Sequence, residues 1–223
     1  MLEGYEYQWL TGLWITFKVA FMALLLGLTL GVLGAAAKAS SCRWLASSIN
    51  LMTNLIRGLP ELLVLFFIYY GSIIILSHLF DQYIEVSAFT ASVISLGLIF
   101  GAYATETIRS AYNAIPRGQW EAAIAYGFSS PLAWIRIMLP QLWLHALPGL
   151  SNLWMVLLKD TALVALIGLP DIMRVAQNVS AATQQPFKVY LVAGLIYLGL
   201  TSLSLIGHQA IKRYLGRHQA GAL

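Results

Sequence analysis

Apolar stretches of bilayer-crossing length alternate along this chain with short segments that hold most of its charge. A helix rising about 1.5 Å per residue needs roughly 20 residues to cross a hydrocarbon core about 30 Å thick. Five windows meet that condition, approximately residues 13–37, 59–79, 86–105, 146–168 and 189–207. The pattern predicts an all-α integral membrane protein with five transmembrane helices. Two windows are not free of charge: the first holds Lys18, which is expected to snorkel outward, and the fourth holds Lys159 and Asp160. Small residues four apart, Gly27 with Gly31 and Gly97 with Gly101, predict faces where helices approach closely. Pro140 and Pro148 are expected to bend the entry to the fourth span. With no internal repeat and no long linker, residues 1–223 read as a single transmembrane domain.

Composition agrees, since 59% of residues are hydrophobic and 10% charged, too little polar surface for a soluble globule of 223 residues. The net charge of +4 does not point to nucleic acid, because the basic residues fall in several short connections rather than in one patch. Their distribution orients the chain instead. Lys38, Arg43, Arg57, Arg109, Arg117, Arg136, Lys212, Arg213 and Arg217 gather on one side; Arg174 and Lys188 lie on the other with Glu3, Glu6, Asp81, Glu85 and Asp171. The excess of positive charge marks cytoplasmic loops, so the N-terminus is expected outside and the C-terminus inside. No Lys or Arg precedes Lys18, so the first apolar run reads as a retained span rather than a signal peptide. Cys42 is the one cysteine, which excludes an internal disulfide, and no Cys/His cluster has metal-ligand spacing. The chain has no Gly-Lys dipeptide, hence no phosphate-cradling loop of that type, and it is expected to bind no cofactor itself.

The segment from Glu121 to Pro140, EAAIAYGFSSPLAWIRIMLP, lies between the third and fourth spans on the side expected to be cytoplasmic. It reads as two short helices. The first starts at Gln119 and is closed by Gly127, a residue free to adopt a left-handed conformation; the second has Ser130 as N-cap, Pro131 at its first position and Pro140 at its far limit. The spacing of Glu121-Ala122-Ala123, Gly127 and Leu139-Pro140 resembles the cytoplasmic coupling motif of permease subunits of bacterial ATP-binding-cassette importers. LIRGLPE at Leu55 to Glu61, QLWLHALPGLSN at Gln141 to Asn152 and LLKDTALV at Leu157 to Val164 resemble polar amino acid permeases, and most of all the histidine/arginine/ornithine transport branch. The resemblance implies the type I importer permease fold in a bacterial inner membrane. It also implies a second permease chain, identical or related, a cytoplasmic ATPase pair that binds the ATP, and an external amino-acid-binding protein. Glu121, Ala122, Ala123, Gly127, Leu139 and Pro140 would form the contact with the ATPase.

A charge inside a bilayer costs roughly 2.5–3.5 kcal/mol and persists where it meets a partner or a wet cavity. Asp160 is the outstanding candidate: in the amino acid permease reading its carboxylate holds a cationic side chain or the substrate ammonium, with Thr161 adding a hydroxyl. The alternative is a structural ion pair with a Lys or Arg of a neighbouring helix or of a partner subunit. Tyr69 and Tyr70 in the second span, with Phe100 and Tyr103 in the third, either form a cation–π cage, Tyr70 being the chosen ligand, or simply pack. Glu106 and Arg109 read as a local i,i+3 pair. The polar segment from Leu169 to Phe187 predicts a short surface helix between Pro170 and Pro186, suited either to docking a soluble partner or to a solvated connection. The rival function is an ion-gradient-driven transporter or channel using Lys159 and Asp160 as a relay, which leaves the Glu121 to Pro140 pattern without a role. A membrane enzyme would need a constellation that His78, His145, His208 and His218, all near span ends, do not form.

Overall fold

The computed structural model describes residues 4–220, with side chains as far as Gly207; expectations resting on Glu3, His208, Lys212, Arg213, Arg217 and His218 fall outside it. In order, the chain forms α1 (Glu6–Lys38), α2 (Arg43–Gly58), α3 (Glu61–Leu79), α4 (Ala88–Asn113), α5 (Arg117–Ala125) and α6 (Ser130–Ala133). A π-helical turn (Trp134–Met138) then leads into α7 (Leu139–Asp160), followed by a 3-10 segment (Thr161–Ile167), α8 (Ile172–Thr183) and α9 (Pro186–Ala220). Five helical stretches are long and apolar enough to cross a membrane, Glu6–Lys38, Glu61–Leu79, Ala88–Asn113, Ser130–Ile167 and Pro186–Gly207. All five expected spans are present.

α4 is the centre of the bundle, with 61% of its most apolar window buried against 11% for α3 and α9. Its tightest neighbour is α1, and glycine sets the spacing. A Cβ placed on Gly27 would lie 2.6 Å from Phe100 Cδ1 and 2.9 Å from the Gly97 carbonyl oxygen, and one on Gly31 would lie 2.6 Å from Ala104 Cβ. From the other side, a Cβ on Gly97 would meet Leu26 and one on Gly101 would meet Leu30 Cβ at 2.9 Å. The two glycine pairs are therefore one seam, along which the backbones approach as they do in membrane helix pairs driven by packing rather than hydrophobicity.

Several boundaries differ from those read in the sequence; α1 starts at Glu6 rather than near residue 13, and α5 at Arg117, directly after Pro116, rather than at Gln119. α2 is a separate helix that the charge-bearing connection after Lys38 had hidden, and it ends because Leu59, preceding Pro60, is held extended at φ −95° and ψ 145°. Ser129, not Ser130, is the N-cap of α6, and no side-chain cap bond forms there. Pro140 does not end a helix. Leu139 N–H donates to the Trp134 carbonyl across the π turn, and Pro140 falls in the first turn of α7, where the wider preceding turn accommodates its ring and its missing donor. The fourth span accordingly begins well before Ala146 and finishes as a 3-10 segment closed by Gly168 at φ +86°. Lys18 Nζ lies 5.0 Å from the Trp14 ring centroid, one turn nearer the start of α1, a cation–π contact on the helix surface.

At the opposite end of the bundle from α5, α8 is a short helix as expected, but it buries one face: Ile172, Val175, Ala176 and Val179 pack with Trp9, Val189 and Ala193. Asp171, fully buried, caps it by accepting from Arg174 N at 2.9 Å, while Tyr197 Oη donates to its second oxygen at 3.4 Å and Ile172 N donates to Thr16 Oγ1 at 3.2 Å. Burial pushes the Asp171 carboxyl from 3.8 up to about 6, against the pull of the N–H donors. A carboxyl whose folded pKa exceeds its unfolded one binds its proton more tightly when folded. Its contribution to stability is thus largest at pH 4 or below and declines until about pH 6. The melting temperature of the detergent-solubilised chain is expected to fall across that interval, and Asp171→Asn to remove that part of the slope. An unchanged slope in the variant would place the titration elsewhere.

Candidate functional site

Two features of the bundle carry chemistry. The first is a cavity of about 340 Å³ between the start of α3, the middle of α4 and the second half of α7. Its volume falls in the range of about 300–1,000 Å³ usual for small-molecule sites. Leu96, Ile99, Phe100 and Tyr103 come from α4, and Asn152, Leu153, Val156, Leu157 and Asp160 from α7. α3 contributes Glu61. The wall is apolar apart from Asn152, the Tyr103 hydroxyl and the two carboxylates. Among the described residues neither Glu61 nor Asp160 is held in an ion pair, so the intrachain salt bridge considered for Asp160 is not formed. Two acids outside any ion pair in an apolar, membrane-embedded pocket suit a cation better than an anion, because attraction between charges grows as the local dielectric falls.

Helix ends explain how both acids reach the cavity. Glu61 is the first residue of α3, directly after Pro60 has separated it from α2; Asp160 is the last of α7, where the helix tightens into the 3-10 segment. Of the aromatic candidates, Phe100 and Tyr103 line the cavity, and Tyr103 also carries the Arg57 guanidinium 5.2 Å from its ring centroid. Tyr70 is half exposed and stacks edge-on with Tyr69 at 5.0 Å, outside the lining residues. Thr161 is fully buried with its hydroxyl donating to the Leu158 carbonyl at 2.7 Å, and it too lies outside the lining. Sequence reasoning gave Glu61 no role in binding, although an acid at the margin of an apolar run was the available signal; Asn152 carried no signal, since a lone amide in a span is unremarkable.

The second feature is the hairpin of α5, α6 and the π turn. Gly127 at φ +82° closes α5, with Phe128 N donating to the Ala123 carbonyl at 3.1 Å, a turn that side-chain-bearing residues adopt only under strain. Ala123, Ala133 and Met138 are buried on the inner side, and the hairpin is fixed to the bundle by stacking of Tyr112 on Trp134 at 5.8 Å and a Gln141 Nε2 to Gln119 Oε1 bond of 3.3 Å. Glu121, Ala122, Gly127, Leu139 and Pro140 are exposed. Between them Tyr126, 85% exposed, and Ile135, 64% exposed, stand outward beside Arg117, Glu121 and Arg136. Exposed apolar side chains interspersed with charged ones are the composition found at protein interfaces.

A helical membrane bundle with an acid-lined cavity and an exposed hairpin at one end has the form of a transmembrane transport subunit. This chain belongs to the family described as binding-protein-dependent transport system inner membrane component, whose model matches residues 23–216. It is 44% identical over 207 residues to the arginine ABC transporter permease protein ArtQ of Haemophilus influenzae, covering 93% of each chain. It is 40% identical over 208 residues to the histidine/lysine/arginine/ornithine transport system permease protein HisQ of Salmonella typhimurium, covering 92% of this chain and 91% of the relative. A solved amino acid ABC transporter, described with histidines, superposes with a TM-score of 0.84 at 30% identity over 96% of both chains. The MetNI methionine ABC transporter shares the fold at a TM-score of 0.73 and 18% identity. The chain is thus a multi-pass inner-membrane ABC transporter permease subunit.

Proposed function

We propose that this subunit forms the translocation pathway for a basic amino acid, arginine, lysine, ornithine or histidine, and that Glu61 and Asp160 hold the cationic group. The observation that carries this reading is the cavity in which both carboxylates stand without an intrachain cation. The names of the relatives, arginine and histidine/lysine/arginine/ornithine permeases, support the same substrate class. Asp160 lies at the far end of the α7 span from the hairpin, so it would receive substrate arriving from outside. In this assembly the N-terminus faces the periplasm, the C-terminus and the hairpin face the cytoplasm, and a second permease chain completes the pathway. ATP is bound and hydrolysed by a partner pair that docks on Glu121, Ala122, Gly127, Leu139 and Pro140, while Ala123, which the sequence placed in the same contact, is buried and packs the hairpin from inside; a periplasmic binding protein delivers the amino acid. Alternating exposure of the cavity follows when the ATPases move the hairpins and these tilt the spans.

The test is purification of the tagged chain from its native membrane in mild detergent, reconstitution with the binding protein, and an ATPase assay with arginine, histidine and glutamine. Co-purification of an ATPase stimulated several-fold by arginine or histidine, and not by glutamine, is the expected result. Equal stimulation by glutamine would remove the cationic assignment, and recovery of the chain without an ATPase would remove the importer reading of the hairpin.

A further inference from the structure

At the hairpin end of the bundle a single ammonium joins three helices. Lys38 closes α1 with its side chain only 5% exposed. All its donors are used: one goes to Asn50 Oδ1 at 3.0 Å and one to Thr53 Oγ1 at 2.6 Å, both on α2, and the third to Glu106 Oε1 on α4. Glu106 holds Arg109 Nη2 on its other oxygen at 2.9 Å. The i,i+3 pair expected from the sequence is therefore one arm of a larger joint.

α2 depends on this joint. Among the described residues Thr53 is its one buried side chain, while Leu45, Leu51, Met52 and Leu55 remain exposed, so little apolar packing fastens it. Its other tie is at its far end, where Tyr103 Oη donates to the Arg57 carbonyl at 3.5 Å. The joint also has a particular place along the chain. Glu106 sits two turns before the end of α4, and only residues 114–116 separate α4 from α5 of the hairpin. On the other side, α2 passes through Leu59 and Pro60 directly to Glu61 in the acid cavity. A displacement of the hairpin thus meets the Lys38–Glu106 contact before it reaches α2, and α2 before it reaches Glu61.

We propose that Lys38 and Glu106 are positioning residues of the transport cycle: their contact makes α2 move with α4, so that motion of the hairpin shifts Glu61 and the cavity wall. The Lys38 ammonium is nearly buried and the Glu106 carboxylate mostly so, and their contact ties α1, α2 and α4 at one point where α2 otherwise presents an exposed apolar face. The proposal rests on the hairpin being the ATPase contact.

Lys38→Met with Glu106→Gln removes the joint without leaving an unpaired buried charge. In the reconstituted complex with its ATPase and binding protein, this double variant is expected to retain ATP hydrolysis while amino acid transported per ATP falls about tenfold. Glu106→Gln alone leaves the buried Lys38 ammonium without a counter-charge and is expected to lower the melting temperature more than the double variant does. Cys42, exposed at the start of α2, supplies a second readout: a fluorophore on it, with cysteine-free partner chains, should report an ATP-driven change that the double variant loses. A wild-type transport ratio and probe response in the double variant would overturn the proposal. So would a parallel loss of transport and hydrolysis, the signature of a merely structural contact. Gly127→Val is assayed alongside; retention of stimulated hydrolysis in that variant would refute the hairpin assignment, separately from the joint.

Discussion

Replacing Asp160 by asparagine is expected to abolish the preference for cationic over neutral amino acids while leaving the subunit in its complex. Asparagine is nearly isosteric and keeps an acceptor, so the apolar walls contributed by Leu153, Val156 and Leu157 have no reason to repack. What disappears is a charge. A hydrogen bond to an ionised partner is worth about 1.5–3 kcal/mol, which corresponds to a loss of roughly ten- to a hundredfold in apparent affinity for arginine or lysine. Glu61→Gln is expected to act in the same direction, and the two substitutions to be non-additive because both carboxylates line one cavity. Competition uptake in proteoliposomes, arginine against glutamine, measures the change. Unaltered arginine uptake by Asp160→Asn would remove the carboxylate from recognition and leave the cavity to the partner chain.

The other large effect is expected at the α1–α4 seam. Valine at Gly27 must place a Cβ 2.6 Å from Phe100 Cδ1 and 2.9 Å from the Gly97 carbonyl oxygen. The ring can turn aside; the carbonyl belongs to a helix backbone and cannot. Overpacking of this kind costs about 1–3 kcal/mol even in adaptable cores. Here the two helices would have to separate along their length, so Gly27→Val is expected to leave little folded subunit in the membrane. Gly194→Val supplies the control, since nothing lies within 4 Å of a Cβ at that position on α9. Detergent-extracted yield and melting temperature compare the two. Equal yields would show that the seam opens more readily than its backbone contacts imply.

The spans and the seam were readable in the sequence because each is a local pattern: apolar length, and glycine at four-residue spacing. The hairpin was readable for a different reason, its composition being polar enough to stand out between spans and its glycine marking a left-handed turn. Its end was misread because Pro140 stops a helix only when the preceding turn is α-helical, and a π turn is invisible in residue type. α2 was hidden by the habit of counting charged segments as connections, although Arg43, Asn50 and Arg57 lie on a continuous helix. The cavity was half visible. Asp160 announces itself as a charge within an apolar run, whereas its juxtaposition with Glu61 depends on how α3 and α7 cross α4. The partner of Lys38 lies 68 positions away, and nothing local points to it.

The path from hairpin to Asp160 runs along one helix, with Pro148 in its interior as the point where it bends most readily. α7 contains 22 residues and is about 33 Å long at 1.5 Å per residue, with the π turn at its base and Asp160 at its tip. With the hairpin as the proposed ATPase contact, it would act as a lever whose short arm is the hairpin. A tilt of only about 10° at the base would sweep the tip by about 6 Å over that length. On that proposal, a small stroke at the hairpin would produce a larger displacement at Asp160.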